Sequence, residues 1–180
     1  KSLDAMCRAG AMESLMDDRF FGDKHFWSAV VVDKPKNKKK LKANIEKYKD
    51  EGTFTKGERI SHLQALTGIY PINMVVPVKA YQFFELQGIN PLSEYDRELG
   101  KGWCIPTEVT TRKTKTGKAY YQVTVIDSSM KTQRINCWGV NPSTDFIYPH
   151  RLYVLEWPKY NATWGFSTNG GLSRNWKLLG

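Results

Sequence analysis

The spacing of apolar residues changes once along this chain, near residue 100. Before that point they recur at intervals of three and four, the period of an amphipathic helix. "SLDAMCRAGAMESLM" puts Leu3, Met6 and Cys7 on one stripe, breaks at Gly10 and resumes with Met12, Leu15 and Met16. This predicts a helical hairpin with Gly10 in the left-handed conformation that ends its first helix. "GDKHFWSAVVV" predicts a further short helix. The stripe Ile60, Leu63, Leu66 ends at Gly68, and Pro71 is placed to start another helix. "VKAYQFFELQG" predicts an amphipathic helix ending at Gly88, and "INPLSEYDRELG" a linker.

From Trp103 the period becomes two. "WCIPTEVTTRK", "KAYYQVTVID" and "KTQRINCWG" are β-type runs joined by "TKTG" and "SSM" turns. A longer connection, "VNPSTDFIYPH", leads to the runs "RLYVLEWPKYN" and "TWGFSTN". Three meander strands, a long connection and two more strands outline a five-stranded OB-type β-barrel, with a small β-sandwich as the alternative. The expected fold class is therefore α+β. A helical, helix-hairpin-helix-like region covers residues 1–99, with a basic insert at 33–56, and an OB-fold domain covers 100–180.

Alternation also sorts faces. Tyr121, Val123 and Val125 fall on one side of the second run, and Tyr120, Gln122 and Thr124 on the other. In the third run Ile135 and Cys137 oppose Arg134, Asn136 and Trp138. The apolar sets predict a core. Tyr120, Gln122, Arg134 and Trp138 then form a surface with stacking and cationic groups, with burial of Trp138 at the barrel end as the competing expectation. The face centred on the second and third strands is the one with which OB barrels bind oligonucleotides. Trp157, Trp164 and Phe166 fit a core, a groove or a packing face equally well.

Charge strengthens that reading. The net charge is +9, and residues 101–180 carry 11 Lys/Arg against 4 Asp/Glu. Arg112, Lys113, Lys115 and Lys118 cluster around the first β-turn, where they either aid solubility or neutralise phosphates. The run "KPKNKKKLK" reads as a solvated connector, with "NIEKYKDE" helical after it. "LTGIYP" is similar to a helix-hairpin-helix turn in which the N–H groups of Gly68, Ile69 and Tyr70 would hold a DNA phosphate; a plain packing turn is the alternative.

Composition narrows the class. Hydrophobic residues make up 41% and aromatics 13%, enough for cores. Three cysteines without a C-x-x-C pair point to neither a disulfide framework nor zinc, hence to a reducing compartment. No apolar run approaches the ~20 residues of a membrane span. The chain opens on Lys1 inside a helical pattern and without a signal peptide, so it is expected to be a piece of a longer protein. There is no D-x-D, no phosphate loop and no nucleophile elbow, and His25, His62 and His150 stand far apart. No catalytic residue and no metal ligand is assigned, and a binding role is expected.

Three stretches, in order, carry a resemblance. "LDAMCRAGAMESL", "FFELQGINPLSEYDRE" and "TRKTKTGKAYYQVTVID" resemble the helix-hairpin-helix region, the lead-in and the first OB hairpin of bacterial and phage DNA polymerase III alpha subunits. The match covers about half the chain. It departs from the family at Asn90-Pro91, which stands for a His-Pro, across residues 31–75, and after the third strand. The resemblance implies a noncatalytic DNA-binding segment of a replicative polymerase. Its helical part would hold duplex backbone and its OB part single-stranded template. The polymerase's catalytic aspartates and Mg2+ would lie upstream of this segment, which itself needs no cofactor. It further implies cytoplasmic location in a bacterial cell or phage-infected host, and the sliding clamp and other replisome subunits as partners. The alternative is a stand-alone OB-fold module for single-stranded nucleic acid.

Overall fold

The chain divides into two compact units, Lys1–Pro71 and Ile72–Gly180, of which the computed structural model describes residues 2–179. The boundary falls earlier than the expected one at residue 99.

The first unit is helical. Helix α1 (Ser2–Arg8) ends where Gly10 takes φ +79°, as its sequence predicts. The second half of the expected hairpin is only a 3-10 turn, Glu13–Leu15. The few residues between Gly10 and Asp17 are too short a run to repay helix nucleation. Helix α2 (Asp23–Phe26) widens into a π-helical turn, Trp27–Val32. Such a turn leaves carbonyls in need of donors. Asn44, fully buried on α3 (Lys38–Lys47), supplies them, donating to Ala29 O at 2.9 Å and to Asp33 O. Helix α3 begins inside the lysine run, because Asn37 caps it by accepting from Lys40 N–H at 2.8 Å. The expected connector is thus shorter than the run itself.

Helix α4 (Lys56–Thr67) starts with a Thr55–Glu58 capping box. Glu58 also meets Lys24 Nζ at 2.7 Å. The Lys24 hydrogen bond and the Thr55 N–H together draw its carboxyl down to about 2, against a smaller opposing effect of burial. Buried Asp23 accepts from Phe54 N–H and faces Arg59 Nη2 at 2.9 Å, tying α2 to α4. Gly22 lies so close to Gly52 that an added Cβ would sit 2.3 Å from the Gly52 carbonyl oxygen. Only glycine allows that crossing.

The second unit carries α5 (Val78–Gln87), β1 (Asn90–Pro91), β2 (Lys101–Lys113), β3 (Ala119–Ile126), β4 (Gln133–Trp138), β5 (Leu152–Glu156), β6 (Lys159–Asn161), β7 (Gly165–Asn169), α6 (Leu172–Asn175) and β8 (Trp176–Leu179). Helix α5 joins this unit through aromatic packing. Phe84 stacks on Trp103 of β2 at 5.2 Å and Tyr81 meets the same ring edge-on at 5.8 Å.

The strands form one sheet in the order β6-β7-β4-β3-β2-β5-β8, with β1 beside β2. The pairs β1·β2 and β4·β7 are parallel and the others antiparallel. The thirteen-residue β2 pairs with β5 through Lys101–Cys104 and with β3 through Ile105–Lys113. Its register breaks between Pro106 and Glu108, where Pro106 has no N–H for the ladder. That bulge turns the strand and curls the sheet into a mixed half-barrel. Runs expected as five strands are present as β2, β3, β4, β5 and β7; β1, β6, β8 and α6 arise from segments expected to be linker, part of a longer strand, or tail.

The core lies inside the curl. Tyr121, Val123, Val125, Ile135 and Cys137 are buried there as alternation predicts, with Cys104, Leu155, Phe166 and Trp176. Asp127, fully buried, closes the β3–β4 turn by accepting from Ser129 N–H at 2.9 Å and fastens the segment after β1 by accepting from Ser93 N–H at 2.7 Å.

Candidate nucleic-acid interface

The outer face of the curl is built from side chains that alternate with the core. Because β2 pairs with β3, β3 with β4 and β4 with β7, Thr110, Gln122, Asn136 and Ser167 stand side by side in one polar row. Lys159 of β6 extends that row past Ser167. One step along the strands lies a second row. Arg112 is opposite Tyr120, and the Tyr120 ring packs on Trp138 with centroids 4.3 Å apart and planes tilted by 30°. On the other side of the polar row Arg134 stands opposite Thr124. Tyr120, Gln122, Arg134 and Trp138 therefore share one face. Trp138 is 36% exposed, so the competing expectation of burial at the barrel end does not hold.

A third aromatic residue completes the face. The β6–β7 turn is held by Asn161 Oδ1, which accepts from Thr163 N–H at 2.8 Å and Trp164 N–H at 3.2 Å. This sets Trp164, 73% exposed, across from Tyr120 and Trp138. The three rings line a groove of about 540 Å³ floored by Gln122, Asn136 and Ser167. Sequence reasoning left Trp164 unassigned, since a turn tryptophan has no alternation to place it. Phe166 is buried in the core instead, and Trp157 lies outside the groove. Asn136 lines the groove, and its Oδ1 is buried with no hydrogen-bond partner among the described residues.

The cations around the groove are also unengaged. All eight ion pairs of the described residues lie in the first unit. Arg112, Lys113, Lys115, Lys118 and Arg134 are exposed and make none. The first β-turn that carries Lys115 and Lys118 is fixed by its own bonds. Thr114 N–H donates to Lys118 O, Gly117 N–H donates to Thr114 O, and Gly117 takes φ +80°. The turn thus holds its lysines out from the sheet edge, near Arg112. Chemically the face offers ring surfaces for stacking, amide and hydroxyl groups for base edges, and unpaired cations for phosphates.

The other expected contact fares differently. Helix α4 ends at Gly68 with φ +74°, but Gly68 N–H already donates to Gln64 O and Ile69 N–H to Thr67 Oγ1. Tyr70 is buried. After Pro71 comes a 3-10 turn, Ile72–Met74, and the next helix does not begin until Val78. Gly68 and Ile69 have their N–H groups occupied within the chain, so the turn presents no open donor there for a phosphate. The lysine run is a better cationic feature: Lys34, Lys36, Lys38, Lys39 and Lys42 are exposed, while Lys40 and Lys47 both reach Asp33.

Among the described residues, no group of three or more His, Cys, Asp or Glu converges as a metal site, and no helix is long and apolar enough to cross a membrane. No family model, curated protein or solved structure matches the chain.

Proposed function

We propose that the sheet unit is an OB-type module binding single-stranded nucleic acid across β3, β4 and β7, and that the chain is a noncatalytic DNA-binding segment of a replicative polymerase. The observation that carries strand binding is the convergence of Tyr120, Trp138 and Trp164 on one groove, on a face whose exposed cations have no ion-pair partner among the described residues. Rings are indifferent to base identity, so the interface suits a template of any sequence. The OB assignment is supported by the curl at the β2 bulge and by a ligand face on the second and third strands of the meander. Placement in a polymerase rests on the colinear resemblance of the three sequence stretches alone. In that setting the exposed lysines before and in α3 would add nonspecific attraction to duplex backbone.

The test is a salt titration of oligo-dT binding to the full chain. Log K should fall linearly with log [salt], with a slope near −0.7 per phosphate neutralised. No binding at low salt, or a flat response, overturns the reading. A polymerase open reading frame carrying clustered aspartates immediately upstream would support the polymerase setting; a chain that stands alone in its gene would leave the stand-alone module.

A further inference from the structure

The free edges of the sheet are β6 and β8, and an open seam beside β6, β7 and α6 holds a second cavity of about 290 Å³ next to the groove. Ser167 lines both, so the two adjoin. Trp157, Lys159, Thr168, Asn169, Arg174 and Asn175 complete its wall.

Three features mark it as built. Asn175 is 94% buried by its 6% exposure, and its Nδ2 donates to Glu156 O at 2.8 Å. A carbonyl only accepts, which fixes the amide orientation and leaves Oδ1 as the free atom. That Oδ1 is buried and has no hydrogen-bond partner among the described residues, on a side chain that lines the cavity. Second, the Trp157 ring packs against Gly100, where an added Cβ would sit 2.4 Å from a ring carbon; the Trp157 backbone N–H donates to Gly100 O, and the residue stays 63% exposed. The ring is thereby held at Gly100 while most of the residue stays exposed. Third, Arg174 and Lys159 are exposed and make no ion pair among the described residues.

We propose that this seam cavity is a subsite for one nucleotide of the bound strand, selective for a base with an exocyclic amine. The base stacks on Trp157 and gives an amine N–H to Asn175 Oδ1, and its phosphate meets Arg174 and Lys159. The inference rests on the strand-binding reading of the groove and extends it: a strand crossing Tyr120, Trp138 and Trp164 continues past Ser167 into the seam. Adenine and cytosine carry such an amine and thymine does not, so the subsite adds a base preference that the groove lacks.

The test uses the full chain and fluorescence anisotropy of labelled oligo-dA and oligo-dT, from about 4 to about 16 nucleotides, the span of single OB sites. Wild type should show a step in affinity with length, larger for oligo-dA. Arg174→Gln and Trp157→Ala should each remove the step, weakening long oligo-dA about tenfold, with short oligonucleotides unaffected. Arg174→Gln should also lower the salt slope by about 0.7. A step that survives both variants, or is equal for oligo-dA and oligo-dT, overturns the subsite while leaving the groove standing. If no oligonucleotide binds wild type, the groove reading fails, and AMP titrated against the Trp157 indole and Asn175 amide resonances decides the cavity alone. Shifts there, lost in Trp157→Ala, keep it as a nucleotide site; their absence overturns it.

Discussion

Stacking and charge act on different parameters, and the groove separates them. In Trp138→Ala the strand loses one ring of the Tyr120–Trp138 pair. One stacked base contributes about 1–3 kcal/mol, so Kd should rise roughly 5- to 150-fold. No charge is removed, so the salt slope should stay at its wild-type value. The fold should survive. Trp138 sits at the exposed end of β4, and its contact with Tyr120 contributes about 0.5–1.5 kcal/mol, small against a typical total of about 5–15 kcal/mol. Arg134→Gln leaves the rings in place and should flatten the slope by about 0.7, with its affinity loss fading at high salt. The assay is anisotropy of labelled oligo-dT across a salt series for wild type, both variants and Trp138→Phe, which should recover most of the affinity. Wild-type affinity in Trp138→Ala would refute the stacking role. A change of slope in Trp138→Ala as large as that in Arg134→Gln would show that the ring acts by holding cations and not bases.

Three other outcomes follow from the fold. Asp127→Ala removes the buried carboxylate that accepts from Ser93 N–H and Ser129 N–H; at a net of about 0.5–1.5 kcal/mol for each bond, a loss of about 1–3 kcal/mol should appear in urea melts, and a loss under about 0.5 kcal/mol would deny the residue its structural role. The Glu58 carboxyl lies at about 2 when folded, against an ordinary 4.5. Its ionised form therefore stabilises the fold above pH about 4.5, and that contribution is lost as pH falls toward 2. The Tm gap between wild type and Glu58→Gln should close over that window, and a pH-independent gap would contradict the Lys24 pairing. Burial pushes the thiols of Cys7, Cys104 and Cys137 up, Cys137 to about 11. A thiol-reactive dye should therefore label the native chain slowly and all three positions on unfolding; rapid stoichiometric labelling of native protein would refute their burial.

Period-two alternation made the sheet legible, because one face of each strand had to be buried. It placed Tyr121, Val123 and Ile135 in the core and thereby turned Tyr120, Gln122 and Trp138 outward without knowledge of the tertiary fold. The same signal is silent wherever a residue sits in a turn or beside a seam. Trp164 entered the groove through an Asn161 turn, and Trp157 took φ +51° against Gly100; neither conformation has a periodic signature. The helical unit was less legible for a different reason. Helix periodicity marks faces, but a bond such as Asn44 to the π-turn carbonyls, or the Gly22–Gly52 approach, joins residues 15 and 30 positions apart, which no local window contains. The Gly68–Tyr70 turn shows the limit of a motif: its letters match a phosphate-holding loop, yet the availability of its donors depended on Thr67 and Gln64, which take two of them first. Binding at the two proposed sites would therefore depend on which polar atoms remain unpaired after folding. The Oδ1 atoms of Asn136 and Asn175 are buried without a hydrogen-bond partner among the described residues, a consequence of tertiary packing that no local window contains.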